Sequence, residues 1–112
     1  MPPLPDDALV VRGGLNSVEL LESGSGVTVD AFGSLFGLSV QSAPGKTVAE
    51  LAVGLPNRKV GVTTVGAVRA AGGEVTPDPS RDRPYHCLAG GISARTASNL
   101  LNPPVPNPSG VK

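Results

Sequence analysis

The sequence predicts a small α+β domain of about five or six short strands and about three short helices, with a mixed or antiparallel β core. Three observations carry this expectation. Apolar and polar residues alternate in several short runs, as half-buried strands require. Helix-capping residues stand immediately before other apolar segments. Fifteen glycines and twelve prolines among 112 residues cut the chain into short pieces joined by turns.

Taken in order, Ala8-Leu9-Val10-Val11-Arg12 is an apolar run stopped by Gly13-Gly14, a strand that delivers Arg12 to its end. Ser17 to Glu22 accommodates a single helical turn. Gly26 to Asp30 alternates as a half-buried strand does, and so does Leu35 to Ser42, with Phe36, Leu38 and Val40 on one face. Thr47-Val48-Ala49-Glu50 matches a capping box, which predicts a helix over Val48–Val53 ending at Gly54. Lys59 to Val62 is compatible with strand. Thr63 or Thr64 can cap a helix over Val65–Ala71, closed by Gly72-Gly73. Glu74-Val75-Thr76 is extended, Pro77 to Ser80 a loop, and Pro84 to Ala89 a further strand. Ser93 caps a last helix over Ala94–Leu101, with Ala97, Leu100 and Leu101 turned inward.

The length suits one core and not two, so residues 8–101 are expected to form a single domain. Residues 1–7 and 102–112 hold seven of the twelve prolines and read as proline-rich tails. No run approaches the ~20 apolar residues of a membrane-spanning helix, and the acidic, proline-rich start does not resemble a secretory signal. A single cysteine, Cys87, excludes a disulfide scaffold and points to a reducing, cytoplasmic setting. With 39% hydrophobic residues and no net charge, wholesale disorder is not expected. The charge is uneven, however. Residues 1–57 set Arg12 and Lys46 against six carboxylates, whereas residues 58–95 carry six cations against three carboxylates. A basic second half suits an anionic ligand, although Phe32, Phe36 and Tyr85 are too few aromatics for a base-stacking surface. Nucleic acid is therefore a weak prospect as a partner, and a membrane is not expected to be one.

Most short motifs fail on spacing. Gly45-Lys46-Thr47 lacks the glycine that a phosphate loop needs at position 40, where valine stands. Adjacent His86 and Cys87 point to opposite faces of a strand, so they make no thiol–imidazole pair: Cys87 suits the core, His86 a cleft or solvent. One histidine and one cysteine make no zinc site, and no metal is expected. A serine hydrolase could use His86 as its base, but ten serines compete and none lies in a nucleophile elbow. Arg12, Thr63-Thr64 and His86 form a more coherent set, each at the edge of an element. An arginine can hold a phosphate, hydroxyls can orient it, and an imidazole can move a proton.

The order of these features resembles small type VI secretion effector toxins whose fold is related to NAD-dependent ADP-ribosyltransferases. The resemblance runs through Leu9 to Arg12, Gly61 to Val65, Val68 to Val75, the Pro77-Asp78-Pro79 loop and the Tyr85 to Leu88 strand. It implies an ADP-ribosyltransferase-like fold with NAD as substrate, transferring ADP-ribose or cleaving the nucleotide. Arg12, Thr63 and Thr64 would then hold NAD, and an antitoxin or immunity protein would be the partner. The family's late catalytic glutamate, preceded two residues earlier by Glu or Gln, is missing, so His86 or Glu74 would have to substitute. The alternative is a non-catalytic interaction module: an antitoxin, immunity protein or complex subunit.

Overall fold

The computed structural model describes residues 3–109. It is an α+β fold with nine strands in two antiparallel sheets and four short helices. The larger sheet has the order β6-β7-β4-β1-β5-β9, built from β1 (Leu9–Gly13), β4 (Leu38–Ser42), β5 (Lys59–Thr64), β6 (Glu74–Pro77), β7 (His86–Gly90) and β9 (Val105–Pro106). The smaller sheet has the order β2-β3-β8, from β2 (Thr28–Val29), β3 (Ser34–Phe36) and β8 (Ile92–Ser93). The helices are α1 (Val18–Glu22), α2 (Val48–Leu51), α3 (Val65–Ala70) and α4 (Ala94–Leu101).

Each helix starts where its hydroxyl residue dictates. Ser17, Thr47, Thr64 and Ser93 accept hydrogen bonds from the backbone N–H groups of Leu20, Glu50, Ala67 and Thr96. At Thr47 the carboxylate of Glu50 in turn accepts from the Thr47 N–H, completing the capping box. These contacts satisfy first-turn amide groups that have no acceptor within the helix.

The large sheet buries apolar side chains on both faces. On one, Val10, Leu38, Val40, Cys87 and Ala89 pack with Leu21 of α1, Val65 and Val68 of α3, and Ala94, Ala97 and Leu101 of α4. Leu35 and Ile92 of the small sheet close that core. On the other face Val11 and Val60 meet Leu51 and Ala52 at α2. Cys87 is 1% exposed, as the strand alternation predicts.

Three expectations need correction. Leu35–Ser42 is not one strand. It breaks at Gly37, whose φ of 78° suits glycine, and where a Cβ would lie 2.6 Å from the Gly26 carbonyl oxygen. Phe36 therefore belongs to the small sheet and is exposed, while Leu38 and Val40 are buried in the large one. The strand count is higher because β2, β3, β8 and β9 are two- or three-residue pieces, and Ser17–Glu22 does supply a fourth helix. The described parts of the proline-rich ends, residues 3–7 and 102–109, also make contact with the body of the fold. Leu4 is 6% exposed within the main core, and β9 pairs with β5 through Lys59↔Pro106 and Val60↔Val105. Proline is tolerated there because β9 is an edge strand. Among the described residues no helix is long and apolar enough to cross a membrane.

Candidate functional site

The large sheet splits on one side of β1. Toward β5 the strand pairs along five residues, Leu9↔Thr64 to Gly13↔Val60. Toward β4 it pairs only through Val10↔Ser42 and Val11↔Gln41. Past that point β4 stays with β7 and leaves Arg12 facing a gap. The Arg12 Nη1–H crosses it and donates to the Ser39 carbonyl oxygen at 2.7 Å. Asn16 fixes the end of β1 by donating from Nδ2 to the carbonyls of Arg12 and Gly14. Burial pushes the Arg12 guanidinium below its ordinary pKa range, yet it remains charged.

A cavity of about 250 Å³ occupies the split. Arg12 and Gly13 form one wall, Ser39 and Gln41 the other, and Leu55, Pro56 and Asn57 come over from the α2–β5 connection. Gly13 permits that approach, because a Cβ there would collide with the Asn57 carboxamide. Arg83 and His86 complete the lining, which thus contains two arginines and no carboxylate. Among the described residues, two buried side-chain polar atoms lack a hydrogen-bond partner, Arg12 Nε and Gln41 Oε1. Both residues line this cavity. One is a donor and the other an acceptor, and leaving such a group unpaired costs roughly 1–3 kcal/mol.

His86 is held at both ring nitrogens. Its Nδ1 lies 3.1 Å from the Asp78 carbonyl oxygen and 3.3 Å from Asp78 Oδ2. Its Nε2 lies 3.1 Å from Ser39 Oγ. The ladder between β6 and β7 sets this up. Pro77 pairs with Cys87, and the Asp78 N–H donates to the His86 carbonyl, so Asp78 stands across from His86. Ser39 stands two residues along β4 from Gln41, the partner of His86. A carbonyl oxygen can only accept, so Nδ1 carries the proton. In the neutral ring Nε2 is then a lone pair, and the Ser39 hydroxyl donates to it.

Comparison with family models, with curated proteins and with solved structures finds no match to this chain.

Arg12 and His86 do meet around one residue: Arg12 on the Ser39 carbonyl, His86 on its hydroxyl. Thr63 and Thr64 are elsewhere. Thr63 borders an apolar cavity with Val10, Ala97 and Leu101, and Thr64 is the N-cap of α3, its Oγ1 accepting from the Ala67 N–H at 3.0 Å. Glu74 pairs with Gly90, four residues along β7 from His86, or about 13 Å at strand rise. Its carboxylate is bound to Arg69 Nε at 2.8 Å and to the Val75 N–H at 3.0 Å, and these contacts, the backbone bond first, hold it below the usual carboxylate range. Ser39 and Asp78 were not singled out as site residues by sequence reasoning. The one available signal was the alternation that puts Ser39 and Gln41 on the face opposite Leu38 and Val40. Among the described residues no cluster of three or more His, Cys, Asp or Glu could hold a metal ion.

Proposed function

We propose that this cleft hydrolyses a small carboxylic ester, with Ser39 as nucleophile, His86 as general base and acid, and Asp78 orienting the imidazole. The observation that carries this reading is the Asp78–His86–Ser39 chain of contacts, with the tautomer fixed, opening on a cavity lined by two arginines and no carboxylate. In the first step Ser39 Oγ attacks the acyl carbon as its proton passes to His86 Nε2. The tetrahedral oxyanion forms in the positive field of Arg12 and Arg83. Its collapse breaks the ester C–O bond, and the departing alcohol takes the proton from His86. Water, deprotonated by the same ring, then attacks the acyl-serine. The carboxylic acid leaves, and Ser39 regains its proton.

The test is hydrolysis of p-nitrophenyl acetate. The wild type should turn over and carry an acetyl group on Ser39, detectable by peptide mass spectrometry. Ser39→Ala and His86→Gln should each lose about a hundredfold or more, the usual worth of a general base. Asp78→Asn should cost less than about tenfold, because the carboxylate is 59% exposed and screened while the main-chain carbonyl still fixes the tautomer. Hydrolysis indistinguishable from buffer, or undiminished in Ser39→Ala, would refute the reading.

A second reading keeps the cleft as an anion-binding site and draws on the same two arginines. NAD or a related nucleotide is the ligand implied by the toxin resemblance, with ADP-ribose transfer or nucleotide cleavage in the cytoplasm and an antitoxin or immunity protein as partner. Arg12 would contact phosphate. The cavity is below the ~300–1,000 Å³ of ordinary ligand pockets, so most of such a nucleotide would extend beyond it. NAD binding by calorimetry, abolished in Arg12→Ala and unaffected by Ser39→Ala, together with no ester turnover, would put this reading first. A non-catalytic interaction module would stand instead if neither ligand nor ester engages the cleft.

A further inference from the structure

A second cavity, of about 280 Å³, adjoins the first and shares Gln41, Leu55 and Arg83 with it. Beyond those shared residues its walls are largely apolar: Leu51, Val53 and Gly54 from the end of α2, with Pro84 and Tyr85 from the segment leading into β7. Glu50 and Asp82 also border it; both residues are exposed, and the Glu50 carboxylate is paired with Lys46 at 3.6 Å. Val53 is 68% exposed. It belongs to neither core cluster.

We infer that this second cavity receives an unbranched aliphatic acyl chain, so that the preferred substrates are medium-chain carboxylic esters. The inference rests on the hydrolytic reading of Ser39. Continuity points to it: a chain whose carbonyl sits at Ser39 can run past Gln41 and Leu55 without leaving protein contact. The chemistry of the walls selects the class. Leucine, valine, proline and the tyrosine ring offer methylenes dispersion contact and removal from water. Arg83, where the cavities join, is placed to favour the oxyanion end of the substrate over the tail.

The experiment is a chain-length series of p-nitrophenyl esters, from acetate through butyrate and hexanoate to octanoate. Each added methylene should raise kcat/KM by about three- to fourfold until the cavity is filled. Val53→Asp, at a position too exposed to threaten folding, should flatten the series while leaving acetate hydrolysis unchanged. Calorimetry of Ser39→Ala with octanoate, expected to bind at least tenfold more tightly than butyrate, reads the subsite without turnover. A flat series with acetate still hydrolysed removes the acyl subsite and leaves the chemistry of Ser39 standing. A steep series unaltered by Val53→Asp places the chain elsewhere and also removes it. If no ester is cleaved but octanoate is preferred, the cavity binds aliphatic chains and the hydrolytic reading falls alone. No turnover and no octanoate preference overturns both.

Discussion

Arg12→Met separates a structural role of Arg12 from a functional one. Methionine keeps most of the side chain's stem and removes the guanidinium. Folding then loses the bond from Nη1 to the Ser39 carbonyl, which as a charge-assisted contact contributes about 1.5–3 kcal/mol. It also sheds the buried, unpartnered Nε, whose desolvation costs roughly 1–3 kcal/mol. The two effects oppose each other at similar size, so net stability should change by less than about 2 kcal/mol. For a domain of this length that is a shift of no more than about 10 °C in Tm. The site has no such compensation. An oxyanion or bound anion loses a charge-assisted contact of about 1.5–3 kcal/mol, a fall of about 10- to 150-fold in kcat/KM at 1.4 kcal/mol per decade. Thermal denaturation and ester kinetics on one preparation check both halves. A Tm drop well beyond 10 °C with unchanged kcat/KM would make Arg12 a tether across the split and nothing more.

Thr64→Ala should lower stability by about 1 kcal/mol through loss of the α3 cap, seen as a Tm fall of several degrees, with ester kinetics unchanged. Cys87 should react slowly with thiol reagents in the native protein and fully once denatured, since burial raises its pKa and shields it; fast native labelling would reverse the facing of β7. Glu50 and Glu74 are both held below their ordinary carboxylate pKa, chiefly by the backbone N–H groups of Thr47 and Val75. A depressed folded pKa gives stability that is present above the unfolded value and lost as pH falls through the folded one. Thermal stability should therefore decline as pH falls through and below the ordinary glutamate range, and the double variant Glu50→Gln/Glu74→Gln should decline less steeply.

What could be read from the sequence was local. Thr47 with Glu50, Thr64 and Ser93 announce their helices because a cap needs only residues three or four apart. Arg12 and His86 stood out because each lies at the edge of a short element, where a charged or titratable side chain is free to meet a ligand. Ser39 and Asp78 did not stand out. Ser39 meets His86 across 47 residues of sequence, and only the register of β4 on β7 places it there. A one-residue slip would turn Ser39 to the opposite face. The break at Gly37 was equally hidden, since Leu35 to Ser42 keeps its alternation through a glycine that changes sheets. The ends misled for a related reason. Proline density argues against central strands, and β9 is at an edge, where Val105 and Pro106 need only the free side of β5.

The split between β1 and β4 is where local and global demands part. Two more rungs of that ladder would satisfy the backbone without help from side chains, and antiparallel strands of five residues each could have formed them. Instead, Arg12 is drawn toward the interior to reach one carbonyl, and the two residues with a buried, unpartnered polar atom, Arg12 and Gln41, both line the cavity. Departures from the most stable arrangement are expected where a protein does something other than fold. Here they coincide with the residue that joins Arg12 to His86. The carbonyl of Ser39 holds the cation and its hydroxyl faces the imidazole, so closing the sheet would remove the cavity and enclose that hydroxyl. On the hydrolytic proposal, the open split beside Ser39 is what gives an ester access to that hydroxyl.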